Sequence, residues 1–289
     1  MRIGRLVVIG VGLIGGSLAL KLKQLGLVDQ VVGYGRCEQN LAKAIELGVI
    51  DQFETDIAQA VKGADLVVLA VPLAAIAPIY AQIEPHLSAE TVVTDVGSAK
   101  SSVVNAVIEQ LGTYPKQFVP GHPIAGREKS GVEAVEADLF LNHRVILTPR
   151  DDTNPESVAL VEQVWTAVGA EVSMMSASFH DEVFAATSHL PHMLAFALVD
   201  MLNEHQELGN VFQYTAGGFR DFTRIASSDA TMWRDIAIQN SSAIVKWIGE
   251  YQAELSRLTQ LIEQQDGQAL YQLFADAKTA RDHHIVNKS

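Results

Sequence analysis

Gly121-His122-Pro123-Ile124-Ala125-Gly126 places a histidine between a glycine and a proline, directly after an apolar, strand-like run. Oxidising an alcohol by hydride transfer requires a group that takes the hydroxyl proton as the hydride departs. Imidazole suits that task because its ordinary pKa lies near neutrality. The flanking glycine and proline restrict the backbone of a post-strand loop and aim the ring. A second loop, Thr94-Asp95-Val96-Gly97-Ser98-Ala99-Lys100, is expected to open on the same crevice. Ser98 there either donates a hydrogen bond to the same substrate oxygen or caps the next helix. Lys100 reads most simply as a helix-start residue. Further on, Ser188-His189-Leu190-Pro191-His192 sets two histidines three apart on one helix face. No acid or cysteine joins them at ligand spacing, so substrate contact or buried hydrogen bonding is expected and a metal site is not. Gly217-Gly218-Phe219-Arg220-Asp221-Phe222-Thr223-Arg224 carries two arginines four apart. Their guanidinium forks match a carboxylate; the competing reading is an internal pair with Asp221.

The hydride acceptor has its own signature. Gly10-Val11-Gly12-Leu13-Ile14-Gly15-Gly16-Ser17 follows a first strand and opens a first helix. Glycines there let the backbone turn tightly and approach a pyrophosphate, whose charge sits on the helix N-terminus. Gly10, Gly12, Leu13, Ile14 and Gly15 are therefore expected at a dinucleotide. NAD-binding versions place an acid about 20 residues on to hold the ribose 2′-hydroxyl. Here the second strand ends Gly33-Tyr34-Gly35-Arg36, with Gly35 where the acid would stand. That absence, with Arg36 following, favours NADP over NAD; Glu38 is near enough to serve an NAD ribose, and Arg36 also reads as a solvated surface charge. Ala70-Val71-Pro72 ends another strand, which makes Val71 and Pro72 an expected wall for the nicotinamide or its ribose.

These loops must be carried by something. β-branched runs at residues 6–9, 30–34, 65–70, 91–94, 117–119 and 144–147 alternate with helical stretches, among them one opened by Asn154 with Pro155 at its first position. That rhythm predicts an α/β fold, a Rossmann-like, doubly wound and mostly parallel sheet. From about residue 176 only helical periodicity remains. Residues 190–202 are apolar nearly all round, which predicts a helix buried between others. Residues 240–265 carry an amphipathic stripe of Ile244, Trp247, Ile248, Tyr251, Leu255, Leu258, Leu261 and Ile262. The predicted organisation is a dinucleotide-binding domain over 1–175 and an all-α dimerisation and substrate domain over 176–289. A helical domain with such apolar faces often completes its core in a homodimer.

Bulk properties bound the function. The 289 residues suit two domains, 48% hydrophobic content supports substantial cores, and no run of about 18 apolar residues predicts a membrane helix. The first residues are too short an apolar stretch for a signal peptide. A single cysteine, Cys37, fits a reducing cytoplasm. A net charge of −13 argues against a nucleic-acid partner but not against an anionic metabolite met by a local arginine.

The motifs GVGLIGGS, DVGSAK, GHPIAG with EKSGV, SHLPH, GGFRDFTRIA and MWRD, in that order from Gly10 to Asp235, resemble the prephenate/arogenate (cyclohexadienyl) dehydrogenase family, TyrA-type. The resemblance implies oxidative decarboxylation of prephenate or arogenate with NAD(P) in tyrosine biosynthesis. By that likeness His122 is the catalytic histidine engaging the ring hydroxyl, Ser98 assists it, and Arg224 binds a substrate carboxylate. Ser188, His189 and His192 line the pocket, and Glu128 and Asp221 join an ionic network with Arg224. Arg127 departs from the family pattern. Two competing readings stay open: another two-domain hydroxyacid dehydrogenase, for which Lys246 is the candidate lysine base, and a non-catalytic NADP-sensing regulator.

Overall fold

A computed structural model describes residues 1–126, 131–205, 207 and 209–285. The chain forms two compact units, one from Met1 to Ser241 and one beginning at Ser242.

The first unit starts as a regular alternation: β1 (Ile3–Ile9), α1 (Leu13–Gln24), β2 (Val28–Tyr34), α2 (Glu38–Glu46), β3 (Gln52–Glu54), α3 (Ile57–Val61), β4 (Leu66–Leu69), α4 (Leu73–Ile83), β5 (Val92–Asp95), α5 (Ser101–Leu111) and β6 (Phe118–Val119). The six strands lie parallel in the order β3-β2-β1-β4-β5-β6. Every residue of β4 is buried, as a central strand covered on both faces requires. The order reverses between β1 and β4, and such a switch point opens a crevice at the carboxyl ends of the strands. The glycine turn and the loops after β4 and β5 leave the sheet at that edge.

The expected strand at 144–147 forms, but outside this sheet. β7 (Gly121–Pro123), β8 (Arg144–Leu147) and, after α6 (Pro155–Ala167), β9 (Glu171–Met174) make a separate three-stranded sheet, antiparallel across β7–β8 and parallel across β8–β9. Pro120 separates β6 from β7; its carbonyl accepts from the Thr148 amide at 2.9 Å, pinning the turn between the sheets. His122 therefore sits on a strand, paired with Ile146, and not on a loop as expected. The helix cap is as expected: Asn154 Oδ1 accepts from the Glu156 amide at 2.8 Å.

Helices follow: α7 (Ala177–Phe184), a π-helical turn over Ala185–His189, α8 (Leu190–Glu204), α9 (Gly217–Thr223) and α10 (Ala230–Gln239). The apolar pattern of α8 predicts burial between other helices. Within the single chain only Leu190 and Ala195 of it are buried, because few elements of the same chain pack on its other faces. The second unit consists of most of α11 (Ser241–Glu263) and of α12 (Gly267–His284). On these two helices Val245, Tyr251, Leu255, Ile262, Tyr271 and Phe274 are exposed. No helix among the described residues is long and apolar enough to cross a membrane.

Candidate active site

The glycine turn is shaped by close packing on one side and open space on the other. Gly10 has φ +94°, and a Cβ there would lie 2.2 Å from the Ala70 carbonyl oxygen. A Cβ on Gly15 would meet Val8 and Ala70 side chains below 3 Å, so only glycine lets α1 approach β1 and β4 this closely. Gly12 differs: its Cβ would meet nothing within 4 Å. It is the N-cap of α1, with no side-chain cap and no acid in the first turn, while Leu13 turns into the core. An uncapped helix N-terminus beside open space accepts the diphosphate of a dinucleotide, and the residues present fit that group. Val71 lines this turn, its Cγ1 3.1 Å from where a Gly10 Cβ would be, and Pro72 caps α4 at the exposed edge. Gly35 follows β2 half-buried, and Arg36 stands beside it.

Close contacts link this turn to the histidine. Gly10 packs on Ala70–Val71 after β4. Gly97, after β5, packs against Leu73 of α4, its would-be Cβ 2.5 Å from Leu73 Cδ2. The Gly97 amide donates to Asp95 Oδ2 at 2.8 Å, and the Gly121 amide donates to Asp95 Oδ1 at 3.2 Å. Side chains alternate along a strand; Gly121 and Pro123 are buried, so the half-buried His122 ring points the other way.

Behind it lies a buried polar cluster that sequence reasoning does not find. His122 Nδ1 is 2.8 Å from His180 Nε2, and His180 Nδ1 is 2.8 Å from Asp181 Oδ1. The Asp181 carboxylate also receives the Lys100 and Ser101 amides, both at 2.8 Å. Lys100 is no plain helix-start residue. It is completely buried, its ammonium bonding Asp95 and donating to the Gly121 carbonyl at 2.7 Å. It therefore holds the backbone that carries His122. Asn240 Nδ2 donates to the Asp181 carbonyl at 2.9 Å and to His189 Nδ1 at 3.1 Å. Burial, with His180, Lys100 and His189 around it, holds the His122 imidazole well below the usual histidine value of 6.5. Burial lowers His180 as well, and brings His189 down to about 4. Adjacent His180-Asp181, four residues past the helix cap Ser176, is the signal that the sequence offers for this cluster.

Of the other expected residues, His192 stacks on Trp233 with ring centroids 3.7 Å apart and donates through Nδ1 to the Ser188 carbonyl at 2.9 Å. Burial lowers its pKa, and the Arg224 charge nearby adds to the shift. Arg224 thus lies within electrostatic reach of His192, on the 3₁₀ turn after α9, with its side chain exposed. Asp221 is exposed one turn earlier and forms no ion pair with a described residue. Ser98 is half-buried, and its hydroxyl bonds no described residue. Arg127 and Glu128 lie outside the described residues. Among the described residues no group of His, Cys, Asp and Glu is arranged to hold a metal.

The family model described as the prephenate dehydrogenase nucleotide-binding domain matches residues 18–174, and that described as the prephenate dehydrogenase dimerization domain matches residues 176–276. Cyclohexadienyl dehydrogenase of Zymomonas mobilis is 37% identical, over 97% of this chain and 97% of its own. Prephenate dehydrogenase from A. aeolicus, solved in complex with hydroxyphenyl propionate and NAD+, superposes with a TM-score of 0.92 at 38% identity, covering 98% of this chain and 99% of that one. Synechocystis arogenate dehydrogenase superposes with a TM-score of 0.83 at 29% identity, over 97% of this chain and 100% of that one.

Proposed function

The chain belongs to the prephenate dehydrogenase family, and on that premise we propose how its own residues carry out the oxidative decarboxylation of prephenate or arogenate, the dehydrogenase step of tyrosine biosynthesis. What supports the reading is that the backbone beside His122 is tied to the end of β5, the Gly121 amide donating to Asp95 at 3.2 Å, while the glycine turn packs on Ala70–Val71 at the end of the neighbouring β4, and that His122 Nδ1 is held 2.8 Å from His180 Nε2.

Gly10, Gly12, Leu13, Ile14 and Gly15 would hold the diphosphate of a dinucleotide at the N-terminus of α1, and Val71 and Pro72 would wall its nicotinamide or ribose. When bound, the nicotinamide accepts the hydride from the hydroxyl-bearing ring carbon. His122 takes the hydroxyl proton, and Ser98 donates a hydrogen bond to the same oxygen. Arg224 holds a substrate carboxylate, and His189, His192 and Ser188 form the pocket wall. Glu128, outside the described residues, is assigned to the ionic surroundings of Arg224; Asp221, exposed and without an ion pair to a described residue, would join them only on substrate binding. The bond to the ring carboxylate then breaks, its electron pair enters the ring and the ring carbonyl oxygen becomes a phenolate, carbon dioxide leaves, and the proton held by His122 returns to that oxygen to give the phenol. The protein's share is positioning and charge stabilisation. The lysine-base alternative fits less well, since Lys246 is exposed and lies over the Trp247 ring. Assaying the protein with prephenate and with arogenate, each with NAD and NADP, while following reduced nicotinamide and released carbon dioxide, tests the proposal. Equal amounts of both products are expected. Dinucleotide binding without reduction on either substrate would favour the regulator reading instead.

The site takes a nicotinamide dinucleotide, and we assign a preference for NADP over NAD to Gly35 and Arg36. A Cβ on Gly35 would meet only Leu41, its Cδ2 at an ordinary 3.7 Å, so the fold does not demand glycine there. An acid at this position would repel a 2′-phosphate and accept from a 2′-hydroxyl. Gly35→Asp is expected to raise the ratio of kcat/KM for NAD to that for NADP about 10- to 100-fold, the worth of one charge-assisted hydrogen bond. An unchanged ratio would remove Gly35 from cofactor selection.

We propose a homodimer built on the helical half, 176–289, with 1–175 as the dinucleotide-binding half: α11 and α12 each leave large apolar side chains exposed that a second copy of this chain can cover. Sedimentation at micromolar concentration is expected to give a dimer; a monomer would contradict this. The exposed free thiol of Cys37 is compatible with a cytoplasmic site.

A further inference from the structure

We infer that Asp181 and His180 are positioning residues that fix the tautomer of His122, placing its proton on Nδ1 and leaving Nε2 as the atom that takes the substrate's hydroxyl proton. The inference rests on the assignment of His122 as the base and adds to it which nitrogen acts and what selects it.

The chain of bonds starts at the ionised carboxylate, which can accept hydrogen bonds but not donate them. Asp181 receives backbone amides from Lys100 on one oxygen and Ser101 on the other, and its pKa is held below the usual carboxylate value by the bonds from His180 and these amides, against the cost of burial. The contact from His180 Nδ1 to Asp181 Oδ1 must then be an N–H donating to a carboxylate. His180 is fully buried, and burial and the Lys100 charge keep it neutral. A neutral imidazole with its proton on Nδ1 has a bare Nε2. That atom faces His122 Nδ1 at 2.8 Å and can only accept, so His122 Nδ1 carries the proton. His122 is itself neutral, which leaves its Nε2 bare. The charged and titratable groups around the pair are Lys100 and Asp95 from the β5–α5 side, and Asp181 and His189 from the helical side. When Nε2 takes a proton, the imidazolium keeps its Nδ1–H bond to His180, now charge-assisted, with Asp181 behind it. A carboxylate orients the histidine of a hydrolytic triad in the same way, with one imidazole fewer. Phe184 fixes the ring planes, with centroids 5.0 Å from His122 and 4.6 Å from His180.

The test is nitrogen NMR of the full-length protein labelled with ¹⁵N-histidine, without substrate, together with steady-state kinetics. The His122 resonances are assigned by their loss in His122→Asn. The wild type is expected to carry the proton on Nδ1. In His180→Leu, which keeps bulk but removes the acceptor, that preference should be lost, and kcat should fall on the order of 10²-fold with KM nearly constant. His180→Gln returns an acceptor near the place of Nε2 and should recover the Nδ1–H form and at least about a tenth of wild-type kcat, which a merely space-filling role would not produce. A wild-type Nε2–H tautomer, or one that His180→Leu leaves unchanged, overturns the inference. Either result is distinct from failure of the base assignment, which turnover by His122→Asn tests alone.

Discussion

His122→Asn is expected to lower kcat by at least about 100-fold while KM stays nearly constant, because general-base help is typically worth 10²–10⁴. Asparagine retains a polar group of similar reach and can still bond His180, so the pocket and the buried cluster should survive. It cannot take up a proton, so only the transition state loses. The pH profile carries the same signature. The base works when neutral, and its surroundings hold its pKa well below 6.5. Lowering the pKa of a base extends its neutral form to more acidic solution. The free enzyme's acid limb in kcat/KM should therefore lie below pH 6.5 in the wild type and vanish from its place in the Asn variant. An unaltered kcat would remove His122 from the reaction.

Arg224→Ala is expected to act mainly on KM, raising it about 10- to 100-fold, the worth of about 1.5–3 kcal/mol for a hydrogen-bonded charge pair. A carboxylate remote from the hydride is held equally in the ground state and the transition state, so removing its partner weakens uniform binding and leaves kcat largely intact. The position of Arg224 supports this role. It lies on a short turn within electrostatic reach of His192, at an exposed position. Arg224→Lys keeps the charge but loses the fork, and should recover only part of the loss. A large fall in kcat at constant KM would place Arg224 at the reacting centre instead.

The sequence is most readable where structure is local. The glycine turn, the buried β4 run and the Asn154–Pro155 cap depend on neighbours a few residues away, and each forms as expected. The type of His122 is likewise legible, but its setting is not. β7 spans three residues, and its partner β8 begins more than 20 positions later, across a long connection. A run so short has no period to detect. Lys100 reads as a plain helix-start residue for a similar reason: its position before α5 is local, whereas its burial depends on Asp95 from one strand and the Gly121 carbonyl from another. His180 and Asp181 lie on a helix packed against the β5–α5 connection, and their roles exist only through that contact. α8 reads as a fully buried helix because hydropathy counts apolar residues and does not say whether the same chain covers them.

The most direct measurement is the distance from the ring hydroxyl oxygen to His122 Nε2 in a crystal structure of this protein with oxidised dinucleotide and hydroxyphenyl propionate. A separation of about 2.6–3.2 Å is predicted, the reach of a hydrogen bond through which a base accepts its proton. A ring oxygen beyond that reach, held by another side chain while the imidazole faces away, would contradict the assignment on which the mechanism rests.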